Sequence, residues 1–193
     1  MSEKHFIFFI MSEGRLMERL DELQREHRML CHINALPRKI VQLHGIDNAT
    51  EFILHDLCQE RCLNFNKAAY FVDNPAFNTT QGVAGFSRQE AFAKADSIWQ
   101  EPNEFSLHMK SSPFNQKVRN LSRCSLLHTD EGHKELAAEL AHDLGYSNHD
   151  FCTWSMKHDN HGFLVYEKAN AQEELPHDHI VNGLTLLSFC PVF

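Results

Sequence analysis

The stretch Val72–Phe92, VDNPAFNTTQGVAGFSRQEAF, decides how strands and helices connect in this chain. It leaves the apolar run KAAYFVD, 67–73, which reads as a strand. Ser87 is followed three residues later by Glu90, the pattern of a capping box, in which two side chains satisfy the free N–H groups of a helix start. Phe86 before the cap and Ala91 after it form a weak hydrophobic staple. The pattern predicts a helix over 88–100 with Ala91, Phe92, Ala95, Ile98 and Trp99 on one face. Between strand and helix, Gly82 and Gly85 permit positive φ and a close approach to the backbone. A glycine-containing loop at a helix N-terminus can offer N–H groups to a phosphate or carboxylate. Asp73 and Asn74 stand at the strand end, where α/β sheets bind ligands. Asp73, Asn74, Gly82, Gly85, Ser87 and Arg88 are therefore candidate ligand-binding residues. The competing reading is purely structural, with Ser87 and Glu90 already satisfying those N–H groups.

Outward from this stretch, the pattern is mixed. FIFFIM, 6–11, reads as a short buried strand or packing arm. A helix is predicted over 13–34, where Leu16, Leu20, Leu23, His27 and Leu30 repeat at 4-3-4-3 spacing, a seam of little more than two heptads. Asp21 and Arg25 can pair at i,i+4 on its outer side. The seam either docks on its own domain or pairs with a second copy, and His27 would make such pairing pH-sensitive. Pro37 breaks the pattern. Asn48 opens NATE, a cap with Glu51 three residues later, and a helix follows to about Cys62 with Ile53, Leu54, Leu57 and Cys58 as its stripe. This helix, followed directly by KAAYFVD, resembles the opening of a GAF-type sensory domain; the resemblance covers only that stretch.

Further on, EFSLHM, 104–109, alternates like a strand. Ser112 and Pro113 suit the cap and first position of a short helix. CSLLH, 124–128, reads as a strand. Leu136, Ala137, Leu140, Ala141 and Leu144 predict a helix over 131–144, stopped by Gly145. FCTWSMK and GFLVYEK predict a hairpin over 151–168, and HIVNGLTLLSFCPVF a final strand. The sum is an α+β fold: a mixed, largely antiparallel sheet with packed helices, preceded by a long N-terminal helix. Residues 1–45 form the arm and helix, a possible dimer element, and 46–193 a single domain.

A net charge of −8 disfavours nucleic acid and anionic membrane surfaces as partners. The apolar run at 6–11 is too short to span a bilayer or serve as a signal peptide. Six dispersed cysteines without a CxxC pair fit a cytoplasmic protein with free thiols. Cys58 and Cys62, i,i+4 on one helix, read as buried thiols packing as small hydrophobes.

The chain holds 14 histidines. If Asp159 and Asn160 form a two-residue turn, His158 and His161 lie opposite each other and can share a divalent transition metal. His177 and His179, alternate residues of HDH, face one side of an extended segment and are further candidate ligands. His133, on the buried side of its helix and near the N-terminus, is disfavoured as an imidazolium by the helix dipole. It is either a neutral ligand-binding group or a satisfied core histidine. No GxSxG, P-loop or GxGxxG motif is present. Two readings remain: a non-catalytic small-ligand-binding or sensory domain, able to dimerise, or a metal-dependent hydrolase built on His158, His161, His177 and His179 with Asp159 or Asp178.

Overall fold

A computed structural model describes residues 3–43, 45–90, 92, 98–125, 130–170, 181 and 183–189, with side chains of the long N-terminal helix from residue 16 onward, Glu18 excepted. Five helices are described: α1 (Glu3–Ile40), α2 (Ala49–Cys58), α3 (Pro102–Ser111), α4 (Pro113–Arg119) and α5 (Asp130–Leu144). Five strands, β1 (Phe65–Asn74), β2 (Thr79–Ser87), β3 (Ser122–Arg123), β4 (Asp150–Ser155) and β5 (His161–Lys168), form one antiparallel sheet in the order β3-β2-β1-β5-β4. The expected α+β architecture with its leading helix is present.

The deciding stretch is a hairpin, not a strand–loop–helix. Asn74 accepts from the Phe77 N–H, Pro75–Phe77 make one 3-10 turn, and Asn78 takes the left-handed conformation (φ 49°) before β2 begins. TTQGVAGFS is thus a strand despite its two glycines, because α4 crosses them. A Cβ on Gly82 would stand 1.9 Å from the Val118 carbonyl oxygen, and one on Gly85 2.6 Å from Val118 Cγ2. Glycine inside a strand here marks close backbone approach rather than a loop. Of the helix expected at 88–100, the described residues show one 3-10 turn, Arg88–Glu90, and a turn at 98–100; residues 91 and 93–97 lie outside the description. The Glu90 carboxylate caps a different helix. It accepts from the Phe114 N–H at 3.1 and 3.2 Å and from the Ser112 hydroxyl, whose oxygen in turn accepts from the Asn115 N–H. A local capping signal was spent on a non-local one.

Both faces of the sheet are filled. Ala68, Tyr70, Phe86, Trp154, Leu164 and Tyr166 pack against α1, α2, α3 and the C-terminal 3-10 turn Thr185–Phe189. Ala69, Phe71, Phe163 and Val165 pack against α4 and α5, which contribute Val118, Leu136 and Leu140. Trp154 lies over Gly162, stacks on Tyr70 at 5.5 Å and donates its indole N–H to Ser188 at 2.7 Å.

Three further expectations are corrected. Residues 6–11 belong to α1, since extending a helix adds one hydrogen bond per residue fixed. EFSLHM is helical: α3 buries Phe105 and Met109, four apart, and leaves Leu107 67% exposed, where a strand would have put all three on one face. Of the strand expected at 179–193, Thr185–Phe189 instead form a 3-10 turn, with Leu184 and Leu187 fully buried; residues 179, 180, 182 and 190–193 lie outside the description. Of the strand expected at 124–128, residues 126–128 lie outside the description, and β3 covers only Ser122–Arg123. By contrast α4 starts at Pro113 with Ser112 as its cap, and α5 ends before Gly145 at φ 70°, as read.

Helix α1 runs through Pro37 to Ile40. Burial of Met29, Ile33 and Leu36 and a 2.7 Å contact from Lys39 Nζ to Asp56 hold its last turns across that proline. The leucine seam is on another face. At about 100° per residue, it is turned by roughly 130° from the Met29–Ile33–Leu36 stripe. Leu16, Leu20 and Leu23 are 71%, 48% and 58% exposed. No helix among the described residues is long and apolar enough to cross a membrane.

Candidate functional site

The residues marked by the sequence for ligand binding are not gathered in one place. Gly82 and Gly85 lie under α4, and their N–H groups donate to the Leu121 carbonyl (2.9 Å) and Asn115 Oδ1 (2.8 Å). Ser87 accepts from the Gln89 N–H at 3.3 Å. The Arg88 guanidinium caps the end of α2, donating from Nε to the Cys58 carbonyl at 3.1 Å. Asn74 serves the hairpin turn. Asp73 is fully buried, with its carboxylate accepting from the Thr80 hydroxyl at 2.6 Å and the Ser125 hydroxyl at 3.0 Å. His133, half-buried in the first turns of α5, stands 6.5 Å from both the Phe151 and the Phe163 rings.

The hairpin register separates His158 from His161. Ser155, not His158, is opposite His161; His158 (φ 61°) and Asp159 (φ 58°) form a longer loop closed by the Met156 N–H on the Asn160 carbonyl at 2.8 Å. His161 pairs on its other side with Asp73. Residues directly opposite share a face, so Ser155, His161, Asp73 and Thr80 form a polar row across four strands. His177 and His179 lie outside the described residues. Among the described residues, no three His, Cys, Asp or Glu side chains are arranged to hold an ion. Cys58 and Cys62 are buried free thiols, and burial pushes the Cys62 thiol up to about 12.

A site that the sequence did not mark lies between the first turn of α2 and α4. There a cleft of about 500 Å³ is lined by Asn48, Thr50, Glu51, Val83, Lys110 and Arg119, among others. Glu51 is 1% exposed. Its Oε1 accepts from Asn115 Nδ2 and from the Arg119 guanidinium, each at 3.1 Å. Asn115 is itself fixed: Nδ2 also donates to the Met109 carbonyl at 2.9 Å, and Oδ1 holds the Gly85 N–H. Burial raises the Glu51 carboxyl above its usual value, against the opposing pull of Asn115 and Arg119. Asn48 does not cap α2. Its amide is engaged with Ser106, accepting from the hydroxyl at 2.6 Å and donating to the carbonyl at 3.3 Å. At the mouth, Lys110 Nζ is 2.8 Å from the exposed Asp47. The cleft therefore offers a deep acceptor, Glu51, beside two cations that reach solvent. The only sequence signal for it was Glu51 in NATE, which reads as a cap.

No family model matches the sequence, and no curated protein matches it. Among solved structures, the chain is similar to the GAF domain from a phosphoenolpyruvate-protein phosphotransferase (ptsP) of Coxiella burnetii. That likeness has a TM-score of 0.49 and 12% identity and covers 83% of this chain and 89% of that one. It is also similar to SdiA in complex with octanoyl-rac-glycerol, with a TM-score of 0.37 and 16% identity over 80% of this chain and 62% of that one.

Proposed function

We propose that this chain is a non-catalytic binding domain for a small polar molecule, seated in the cleft between α2 and α4. The observation that carries the reading is Glu51, a carboxylate buried to 1% at the wall of a cleft that also contains Arg119 and Lys110. A buried ionisable group costs stability unless it is paired, and burial raises this one despite its partners. A ligand with a hydrogen-bond donor for Glu51 and an acidic group for Arg119 and Lys110 matches the two ends. Thermal denaturation against a panel of small amino acids, amino alcohols and hydroxy acids tests this. Binding at a hundred times Kd adds about 2.7 kcal/mol. A stabilising compound whose effect disappears in Arg119→Ala and Glu51→Gln supports the site. Stabilisation indifferent to both substitutions, or none across the panel, refutes it.

We further propose that the domain works as a homodimer through α1. What supports this is the orientation of the helix: one stripe is buried in the domain while Leu16, Leu20 and Leu23 stand exposed on another. Aliphatic residues at heptad spacing pair with a second helix of the same pattern.

A further inference from the structure

The first turn of α2, in the wall of the α2–α4 cleft, holds donors that the protein does not satisfy. A helix N-terminus leaves its first N–H groups without an intrahelical acceptor, and a capping side chain normally meets them. Here the cap residue is diverted: Asn48 makes no side-chain bond to its own helix and is committed to Ser106. The Glu51 N–H reaches the Asn48 carbonyl at 3.2 Å, but no acceptor among the described residues meets the N–H groups of Ala49 and Thr50. Thr50 adds a side-chain donor. It lines the cleft, is only 3% exposed, and its hydroxyl has no hydrogen-bond partner among the described residues. Buried polar groups are rarely left in that state, because the lost hydration is not replaced.

The charges around that turn balance. Two cations, Lys110 and Arg119, and two carboxylates, Asp47 and Glu51, line the cleft. A simple anion drawn to the start of α2 would stand beside the buried Glu51 carboxylate, the next residue along the helix, and be repelled. A simple cation drawn to Glu51 would stand at the positive end of the helix. A molecule carrying both charges meets neither penalty. Glu51 has capacity for its cationic end: Asn115 Nδ2 and Arg119 both reach Oε1, and Oε2 has no side-chain donor among the described residues. Donors and acceptor therefore stand within one helical turn, a spacing that suits two opposite charges borne on a single carbon atom.

Building on the assignment of the α2–α4 cleft as the binding site, we propose that its ligand is a small α-amino acid. The carboxylate sits on the Ala49 and Thr50 N–H groups and the Thr50 hydroxyl, and the ammonium on Glu51. Amino alcohols lack the carboxylate that the start of α2 calls for, and hydroxy acids lack the cation that Glu51 calls for. Thr50 is then the residue that selects the carboxylate end. A volume of about 500 Å³ accommodates such a molecule.

The test titrates the full chain calorimetrically with glycine, L-alanine and L-serine, then with the amide and the N-acetyl form of whichever binds most tightly. Saturable one-to-one binding of at least one amino acid is expected. The amide lacks the carboxylate and the N-acetyl form lacks the ammonium. Each should bind about tenfold or more weaker, the scale of one lost charge-assisted contact. Thr50→Val keeps the branched shape and removes the hydroxyl. It should weaken the amino acid about tenfold, and Thr50→Ser should restore binding. Without ligand, the Tm of Thr50→Val should not fall, because the hydroxyl has no partner to lose. An amino acid whose binding requires Glu51 and Arg119 but ignores Thr50→Val overturns this assignment and leaves the cleft as the binding site. So does equal affinity for the amide or the N-acetyl form. If none of the three amino acids binds, the proposal is overturned, and the amino alcohols and hydroxy acids of the wider panel decide separately whether the cleft binds a small polar molecule.

Discussion

Glu51 and Arg119 are 68 positions apart in the chain and 3.1 Å apart in space, and their contact joins α2 to α4 across the wall of the cleft. The pair is asymmetric. The carboxylate side chain is 2% exposed and the guanidinium 44%. Only the acid bears the full cost of desolvation.

That asymmetry sets two opposite outcomes. Arg119→Ala leaves the buried carboxylate with Asn115 as its side-chain donor and should cost about 1–2 kcal/mol, the lower part of the range because the guanidinium is partly screened. Glu51→Gln keeps an acceptor for Asn115 and Arg119 but removes the charge. The folded-state value of Glu51 is raised, so the folded state holds its proton more tightly than the unfolded chain. Its contribution is fully present below about 4.5, the unfolded value, and is lost as pH rises through the folded value. Urea denaturation of wild type and Glu51→Gln at several pH values should therefore show the variant gaining relative stability as pH rises across that window. A constant difference would refute the assignment.

Asp56 works in the other direction. Burial alone would raise it, but His32, His55 and Lys39 outweigh burial and hold the carboxyl well below its usual range. Lys39 Nζ stands at 2.7 Å, the Trp99 indole N–H donates at 3.0 Å, and His32 Nε2 lies at 3.5 Å. The stabilisation is present above the ordinary aspartate value near 3.8 and is lost as pH falls below it toward the depressed folded value. Asp56→Asn should cost about 3 kcal/mol at pH 7, since three cationic or imidazole partners, His32, His55 and Lys39, and an indole lose a buried carboxylate. Its stability should also fall less than that of wild type between pH 5 and 3, as followed by circular dichroism.

Gly82→Ala and Gly85→Ala test the packing that turns a predicted loop into β2. The first places a methyl against a backbone oxygen, the second against a flexible Val118 methyl. Both overpack, at a cost of about 1–3 kcal/mol, with Gly82 the more severe because backbone cannot swing aside. Equal midpoints in guanidinium would contradict the approach of α4.

The α1 seam predicts a dimer mass by light scattering at tens of micromolar that becomes a monomer mass in Leu20→Glu/Leu23→Glu, with Tm of the domain little changed because these side chains are exposed. A monomer at all concentrations rejects the pairing.

Local signals in the sequence were reliable where one element settled them. Leu136, Ala137, Leu140 and Leu144 specify α5 without help from the rest of the fold, and the Ser112–Pro113 cap specifies the start of α4. Signals that depended on distant partners misled. Ser87 and Glu90 have the spacing of a capping box, yet Glu90 reaches across to Phe114 and Ser112. Gly82 and Gly85 suggested a cradle because nothing in the local sequence announces that Val118 will press against them. Phe105, Leu107 and Met109 fit a strand period as well as a helix, and only burial of the first and last with exposure of the second decides. The Glu51 cleft needs four separate segments, so no window of sequence contains it.

The chain has two tryptophans, and they sit at two different junctions. Trp154 lies over Gly162 with its indole on Ser188 of the C-terminal turn, while Trp99 lies between Asp56 and Lys39, the latter 5.1 Å from its ring. Lys39 is on α1. The emission of Trp99 is therefore a built-in optical gauge of how firmly α1 is seated. With Trp154 replaced by Phe, a single fluorophore would follow detachment of that helix in real time, without a label and independently of the state of the sheet.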